Sequence, residues 1–178
     1  MELSFNYILI DGAKAEAELY TAKELNKKNQ SLYLEPIQSE LEGVAPYLFE
    51  INAPAEFLSW YFENGWGKSW GLCVKSAFDF EQTRHHFRKF LKVKTEPNTQ
   101  LYFRFYDPRV LKIFLPTCNE NQLREFFGPI EYFICEDENP EHALVFTFTD
   151  NKFSTERVHV SKLLTPKEEK ISARKFFT

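Results

Sequence analysis

The sequence is poor in cysteine and glycine and has no long apolar run, and these shortages exclude several protein classes. Its 178 residues include 3 Cys, an odd number without Cys-x-x-Cys spacing, so we expect neither a disulfide framework nor a structural zinc site. The apolar run near the N-terminus has no basic segment before it and is broken by Asp11. We therefore expect no signal peptide and no membrane span, and a reducing cytoplasm as the location.

The motifs of catalysis and of cofactor binding are missing as well. The sequence has no Gly-rich phosphate loop, no nucleophile elbow and no metal triad. A net charge of −4 argues against nucleic-acid binding, which depends on phosphate contacts. We expect no enzymatic activity, no cofactor, no metal and no nucleic-acid partner.

Aromatic residues are plentiful by contrast. They make up 17% of the chain, with 19 Phe and 8 Tyr, so the predicted core consists of rings more than of branched aliphatic side chains. Rings that the core does not need are available to a protein partner.

Residues 101–130 give the clearest local pattern. Alternation over residues 101–105 predicts a strand whose core face carries Leu101, Phe103 and Phe105. Asp107 followed by Pro108 predicts a helix start, because the carboxylate can accept free amides of the first turn and proline suits the first helical position.

A second helix is predicted directly afterwards. Thr117 and Glu120 have capping-box spacing, and Gly128 followed by Pro129 predicts the end of that helix.

Strands and helices alternate along the rest of the chain, which predicts an α/β fold with a mixed sheet. We expect mostly parallel central strands, flanking helices and a C-terminal antiparallel hairpin. Further strands are predicted at residues 5–10, 31–37, 46–51, 72–77, 132–135 and 143–149, and further helices at 13–28, 54–64 and 80–91. Residues 1–150 are expected to form the main domain, and residues 151–178 a short helical segment with a capping box at Thr165.

Two sets of residues are candidates for contact with a partner. Trp66 and Trp70 lie in a glycine-containing turn, where large rings serve either as core or as interface anchors. A basic set follows on the next predicted helix and consists of Arg84, Arg88, Lys89 and Lys92.

Several motifs resemble a known family. Six motifs occur in order between residues 7 and 130: YILIDGA, APYLFEI, GWGKSWGLCVKS, HHFRKFLKVK, FRFYDPRVLKIFLP and FFGPI. This order resembles the bacterial type VI secretion effector adaptor or chaperone family, formerly a domain of unknown function. The resemblance implies a cytoplasmic protein that binds one toxic effector and loads it onto the spike protein. We assign a structural role to the signature residues Asp11, Arg104, Asp107, Pro108, Arg109, Gly128 and Pro129.

Two other functions compete with this interpretation. Asp11 and Asp107 each follow a strand and precede a helix, so with Arg109 they suit a small hydrolase or a nucleotide-binding enzyme, although both are also ordinary helix caps. Acidic charge and small size also suit an immunity protein that blocks a toxin.

Overall fold

The structure is a computed structural model that describes residues 3–35, 37–51, 55–95 and 99–163. Within them the strands are β1 (Tyr7–Asp11), β2 (Asn29–Ser31), β3 (Pro46–Glu50), β4 (Gly71–Ser76), β5 (Lys92–Thr95), β6 (Thr99–Tyr102), β7 (Ile130–Glu136), β8 (His142–Thr149) and β9 (Lys152–His159). The helices are α1 (Gly12–Ala15), α2 (Glu18–Leu25), α3 (Ile37–Glu40), α4 (Ala55–Asn64), α5 (Phe80–Arg88), α6 (Pro108–Phe114) and α7 (Glu120–Phe127).

The main sheet has the order β2-β3-β1-β4-β7-β8-β9, and every neighbouring pair of strands in it is antiparallel. The prediction of mostly parallel central strands is therefore wrong, although strands and helices do combine as expected. Strands that are apolar on both faces are typical of parallel sheets, and this pattern led to the prediction. Here helices cover both faces of an antiparallel sheet, so its central strands have the same apolar pattern.

The sheet lies between two helical layers. Alternate residues of β1 point to opposite faces, since Leu9 belongs to one buried cluster and Ile8 to the other. The cluster around Leu9 includes side chains of α5, α6 and α7, and the cluster around Ile8 includes side chains of α2 and α4. The predicted C-terminal hairpin is confirmed as β7 and β8, and β9 continues it.

Phenylalanine rings fill the layer that contains α5, α6 and α7. The ring of Phe126 lies 5.1 Å from that of Phe90, 5.3 Å from those of Phe114 and Phe133, and 5.6 Å from that of Phe105. This cluster joins the helices to the sheet, as the aromatic composition predicted.

The predicted core face of residues 101–105 is partly wrong. β6 ends at Tyr102 and pairs only with β5, outside the main sheet. Leu101 is consequently exposed, whereas Phe105 and Tyr106 are buried in succession in the turn before α6. Side-chain alternation does not apply beyond the end of the strand.

The helix signals after this turn are largely confirmed. Asp107 caps α6 with Pro108 in its first turn, and Gly128 ends α7 at a positive φ of 48°. The capping box of α7, however, lies two residues later than predicted. Pro116 and Thr117 belong to an extra helical turn, and the reciprocal hydrogen bonds join Asn119 and Gln122 instead of Thr117 and Glu120.

The chain remains part of the sheet beyond residue 150, since β9 pairs along its whole length with β8. The helix predicted from Thr165 onwards lies outside the described residues. Among the helices that the structure describes, none has the length and apolar character needed to cross a bilayer.

The ring cluster predicts a large cost for truncating its central member. Phe126→Ala should lower the free energy of unfolding by about 3–5 kcal/mol, because it removes a buried ring and leaves a cavity. Urea unfolding measures the change. Ile113→Ala is the control, since Ile113 on α6 is 73% exposed and its loss should cost under about 0.5 kcal/mol. Equal effects of the two substitutions would contradict this account of the core.

Candidate functional site

Three buried carboxylates lie near one end of the main sheet. Asp11 ends β1 and Glu136 ends β7, and the antiparallel registers bring both to the same end of the sheet. Asp107, at the start of α6, is close enough to Asp11 to act on it electrostatically. A buried charge is costly unless it is paired, so the partners of these groups decide what the site can do.

Asp11 holds two segments together. Its Oδ1 accepts the amide of Ala13 at 3.0 Å and so caps α1, while Oδ2 accepts a hydrogen bond from Arg104. Burial raises the pKa of the Asp11 carboxyl, although Arg104 and the Ala13 amide act in the opposite direction. Arg104 is only three residues from Asp107 in the sequence, but the structure pairs it with Asp11 across the fold.

Asp107 is occupied by the residue two positions after it. Its carboxylate accepts the Arg109 amide at 3.0 Å, Nε at 3.0 Å and Nη2 at 2.7 Å. Burial alone would raise the pKa of Asp107, but the hydrogen bonds from Arg109 lower it below its ordinary value. The predicted cap is confirmed, and the Arg109 guanidinium pairs with the same carboxylate.

Glu136 is the member that sequence reasoning missed. Its carboxylate accepts the amides of Gly67 at 2.7 Å and of Ser69 at 2.8 Å, and the Ser69 hydroxyl at 3.2 Å. These bonds fasten the turn between α4 and β4 to the sheet. Glu136 opens an acidic stretch in the sequence, so nothing local separates it from its exposed neighbours.

The two candidate tryptophans have different positions. Trp70 is 5% exposed and its ring packs 5.6 Å from that of Trp60, so it is a core residue in this structure and not a surface anchor. Trp66 remains partly exposed and its Nε1 donates to the Pro140 carbonyl at 2.8 Å. Only Trp66 is therefore placed to contact a partner.

Trp66 forms one wall of an apolar depression of about 450 Å³, which we call the tryptophan groove. Its ring lies 5.0 Å from that of Phe62 on α4. Two exposed acids, Glu63 and Glu141, contribute to the rim. The groove's complete lining consists of Ser59, Phe62, Glu63, Trp66, Pro140, Glu141 and Val160.

The basic candidates also divide into two kinds. Arg84 is largely buried, with Nε donating to the Ser31 carbonyl at 2.7 Å, so its role is to join α5 to the end of β2. Arg88 is half-buried, and Lys89 and Lys92 are exposed. These three cations form the accessible basic surface.

A second depression, of about 280 Å³, lies beside this basic surface, and we call it the tyrosine pocket. Tyr33 and Tyr102 both line it, and their rings contact each other edge to face with centroids 6.1 Å apart. Arg88 and Lys92 line it together with Leu32, Leu34, Glu35, Ile37 and Leu91.

Chemically, this arrangement suits binding more than catalysis. Each buried carboxylate already accepts hydrogen bonds from the chain itself. In the described ranges, the side chains of His, Cys, Asp and Glu form no group of three that could hold a metal ion. The two depressions instead combine apolar surface with a charged rim.

The hydrogen bonds of the Asp107 carboxylate give a prediction for the free energy of unfolding and for its dependence on pH. Asp107→Ala should lower the free energy of unfolding by about 1 kcal/mol, the usual effect of losing a helix cap. Arg109 is 55% exposed, so its solvated guanidinium adds little to this cost. Because the pKa of Asp107 is lowered in the folded state, its stabilisation is complete above about pH 4 and is lost as the pH falls through the folded-state pKa.

Urea unfolding between neutral and acidic pH measures both effects. Arg109→Gln is the companion variant, because it removes the ion pair and keeps the cap, so its cost reports what the guanidinium contributes to the buried carboxylate. An unchanged midpoint in Asp107→Ala would show that the cap does not stabilise the fold.

The chain also has a family match in sequence. Residues 6–125 match the family described as Domain of unknown function (DUF4123), and this range contains Asp11, Arg104, Asp107 and Arg109. Gly128 and Pro129 of the predicted signature lie beyond it. No curated protein and no solved structure matches the chain. Because the matched range covers well over half of the sequence, the chain belongs to the DUF4123 family.

Proposed function

We propose that this chain is a non-catalytic, cytoplasmic adaptor and chaperone that binds one type VI secretion effector and loads it onto the spike protein. Support comes from the motifs that resemble the adaptor family, of which FRFYDPR at residues 103–109 followed by FFGP at residues 126–129 is the most specific. FRFYDPR lies inside the region matched to the DUF4123 family, and FFGP follows directly after it.

The observation that carries the proposal is the pair of apolar depressions on opposite sides of the sheet. The tryptophan groove is built on α4, which packs on one face, and the tyrosine pocket lies at the C-terminal end of α5, which packs on the other. Their rims differ in charge, with Glu63 and Glu141 at the groove and Arg88 and Lys92 at the pocket. An adaptor must contact two proteins at once, and two unlike surfaces allow this without competition.

The buried carboxylates support the non-catalytic part of the proposal. A general base or nucleophile needs a group that is free to meet the substrate. Asp11, Asp107 and Glu136 are engaged by backbone amides and arginines of the chain itself. Moving any of them toward a substrate would release a helix cap or a turn.

Affinity purification from the native cell tests the proposal directly. We expect the tagged chain to bring down an effector together with the spike protein. The isolated effector complex should retain the effector's toxic activity when assayed in vitro. A partner whose toxicity is abolished in the complex would instead identify an immunity protein and overturn the adaptor function.

A second prediction is that the purified chain has no turnover of its own. Esterase, phosphatase, nuclease and peptidase substrates provide the screen, with Asp11→Asn and Asp107→Asn as comparison variants. A rate in the parent that disappears in either folded variant would overturn the non-catalytic proposal.

The tryptophan groove gives a prediction about affinity. Trp66→Ala should weaken binding of one of the two partners by about 2 kcal/mol, because interface energy concentrates in a few buried aromatic anchors. Titration calorimetry with the purified effector, and then with the spike protein, measures the loss.

Two variants control this measurement. Trp66→Phe keeps a ring in the groove and should retain most of the affinity, and Tyr20→Ala removes an exposed ring that is not part of the groove. Only variants with the parent's melting temperature are compared, because Trp66 also packs on Phe62 and donates to Pro140. Parent-like binding of both partners by a folded Trp66→Ala would remove the groove from the interface.

A further inference from the structure

The tyrosine pocket is open at its rim and closed at its floor. Leu32 and Leu91 are buried beneath it, whereas Leu34 is 49% exposed and Tyr102 is 53% exposed at its mouth. Binding of a partner that buries such half-exposed apolar side chains is favourable, because it removes apolar surface from water.

The walls of the pocket are already fastened in place. The Arg84 Nε donates to the Ser31 carbonyl at 2.7 Å, which fixes the end of β2 against α5. The Phe103 amide donates to the Leu91 carbonyl at 2.9 Å, which fixes the end of β6 against the segment that follows α5. A pocket of this kind binds without the entropic cost of ordering its walls.

The volume and charge of the pocket limit its occupant. About 280 Å³ is just below the usual size range of small-molecule sites, which suits one or two side chains of a peptide. Arg88 and Lys92 line it, with Lys89 beside them, in a chain whose net charge is −4. The carboxylate in the lining, Glu35, is engaged by the hydroxyl of Ser39.

Tyr102 gives the pocket its recognition chemistry. The Lys92 ammonium lies 5.5 Å from the centre of the Tyr102 ring, and the Tyr33 ring meets Tyr102 from the side. An apolar side chain can pack against the exposed parts of Tyr102 and Leu34 while a neighbouring carboxylate meets Arg88 or Lys92. Tyrosine and arginine are the residue types in which interface energy concentrates.

We infer that the tyrosine pocket binds an acidic peptide segment of the partner protein by an aliphatic or aromatic anchor residue flanked by carboxylates. This inference rests on the proposed function for the source of the segment. The charge complementarity comes from Arg88, Lys89 and Lys92, and the anchor site from Tyr33, Leu34 and Tyr102.

Fluorescence anisotropy with a labelled peptide tests the inference independently of any effector. The probe carries a leucine–phenylalanine pair flanked by glutamates. One comparison peptide has lysines in place of the glutamates, and another has alanines in place of the apolar pair. We expect measurable binding of the first peptide only, weakening as salt is added.

Matched variants locate the binding. Tyr102→Ser and Arg88→Glu should each reduce affinity for the acidic peptide by about tenfold or more. Tyr20→Ser removes a tyrosine of similar exposure, 57%, from another part of the surface, and Lys152→Glu reverses an exposed lysine on β9. Both controls should bind the peptide as the parent does.

The outcomes separate this inference from the proposed function. The pocket assignment would be overturned if the acidic and basic peptides bound equally well or if a single-stranded oligonucleotide bound more strongly than the acidic peptide. It would also be overturned if the folded variants Tyr102→Ser and Arg88→Glu bound the acidic peptide as the parent does. Capture of the effector and of the spike protein that are both unaffected by both substitutions would also overturn it and leave the adaptor function intact. Absence of any effector from the parent's complexes would overturn the adaptor function, while the peptide titration would still decide the chemistry of the pocket.

Discussion

The need to pair buried negative charge organises one end of this molecule. A carboxylate left alone in the interior costs several kcal/mol, so each of the three buried acids must be met by donors from elsewhere in the chain. Asp11 is met by the start of α1 and by Arg104, Asp107 by Arg109, and Glu136 by the turn before β4. The contacts of Asp11 and Glu136 thereby hold two loops of unrelated sequence against the same sheet.

These fixed loops also support both depressions. The turn held by Glu136 carries Trp66, which forms a wall of the tryptophan groove. Near Asp11, Tyr106 is buried, and its burial raises the pKa of its hydroxyl. The Tyr33 hydroxyl is close enough to Asp11 and Tyr106 to interact with them electrostatically, and Tyr33 also lines the tyrosine pocket.

The sequence predicted helix ends better than long-range geometry, although the second capping box joins Asn119 and Gln122 instead of Thr117 and Glu120. Asp107, Pro108 and Gly128 predicted their helix ends because a cap depends only on neighbouring residues. The prediction of strand direction was wrong because an apolar strand buried on both faces has the same sequence pattern whether its neighbours are parallel or antiparallel. The pairing of Arg104 with Asp11 and the role of Glu136 depend on residues far apart in the chain. No local spacing could reveal them.

The strand order has a consequence for how the chain is made. β1 precedes both of its neighbours in sequence but lies between β3 and β4, so both of its edges are paired only after Ser76 has emerged. The β7-β8-β9 meander is built from neighbours in sequence and can form as soon as it leaves the ribosome. Until Ser76 emerges, the nascent chain exposes an apolar strand with at least one unpaired edge, and such an edge favours aggregation.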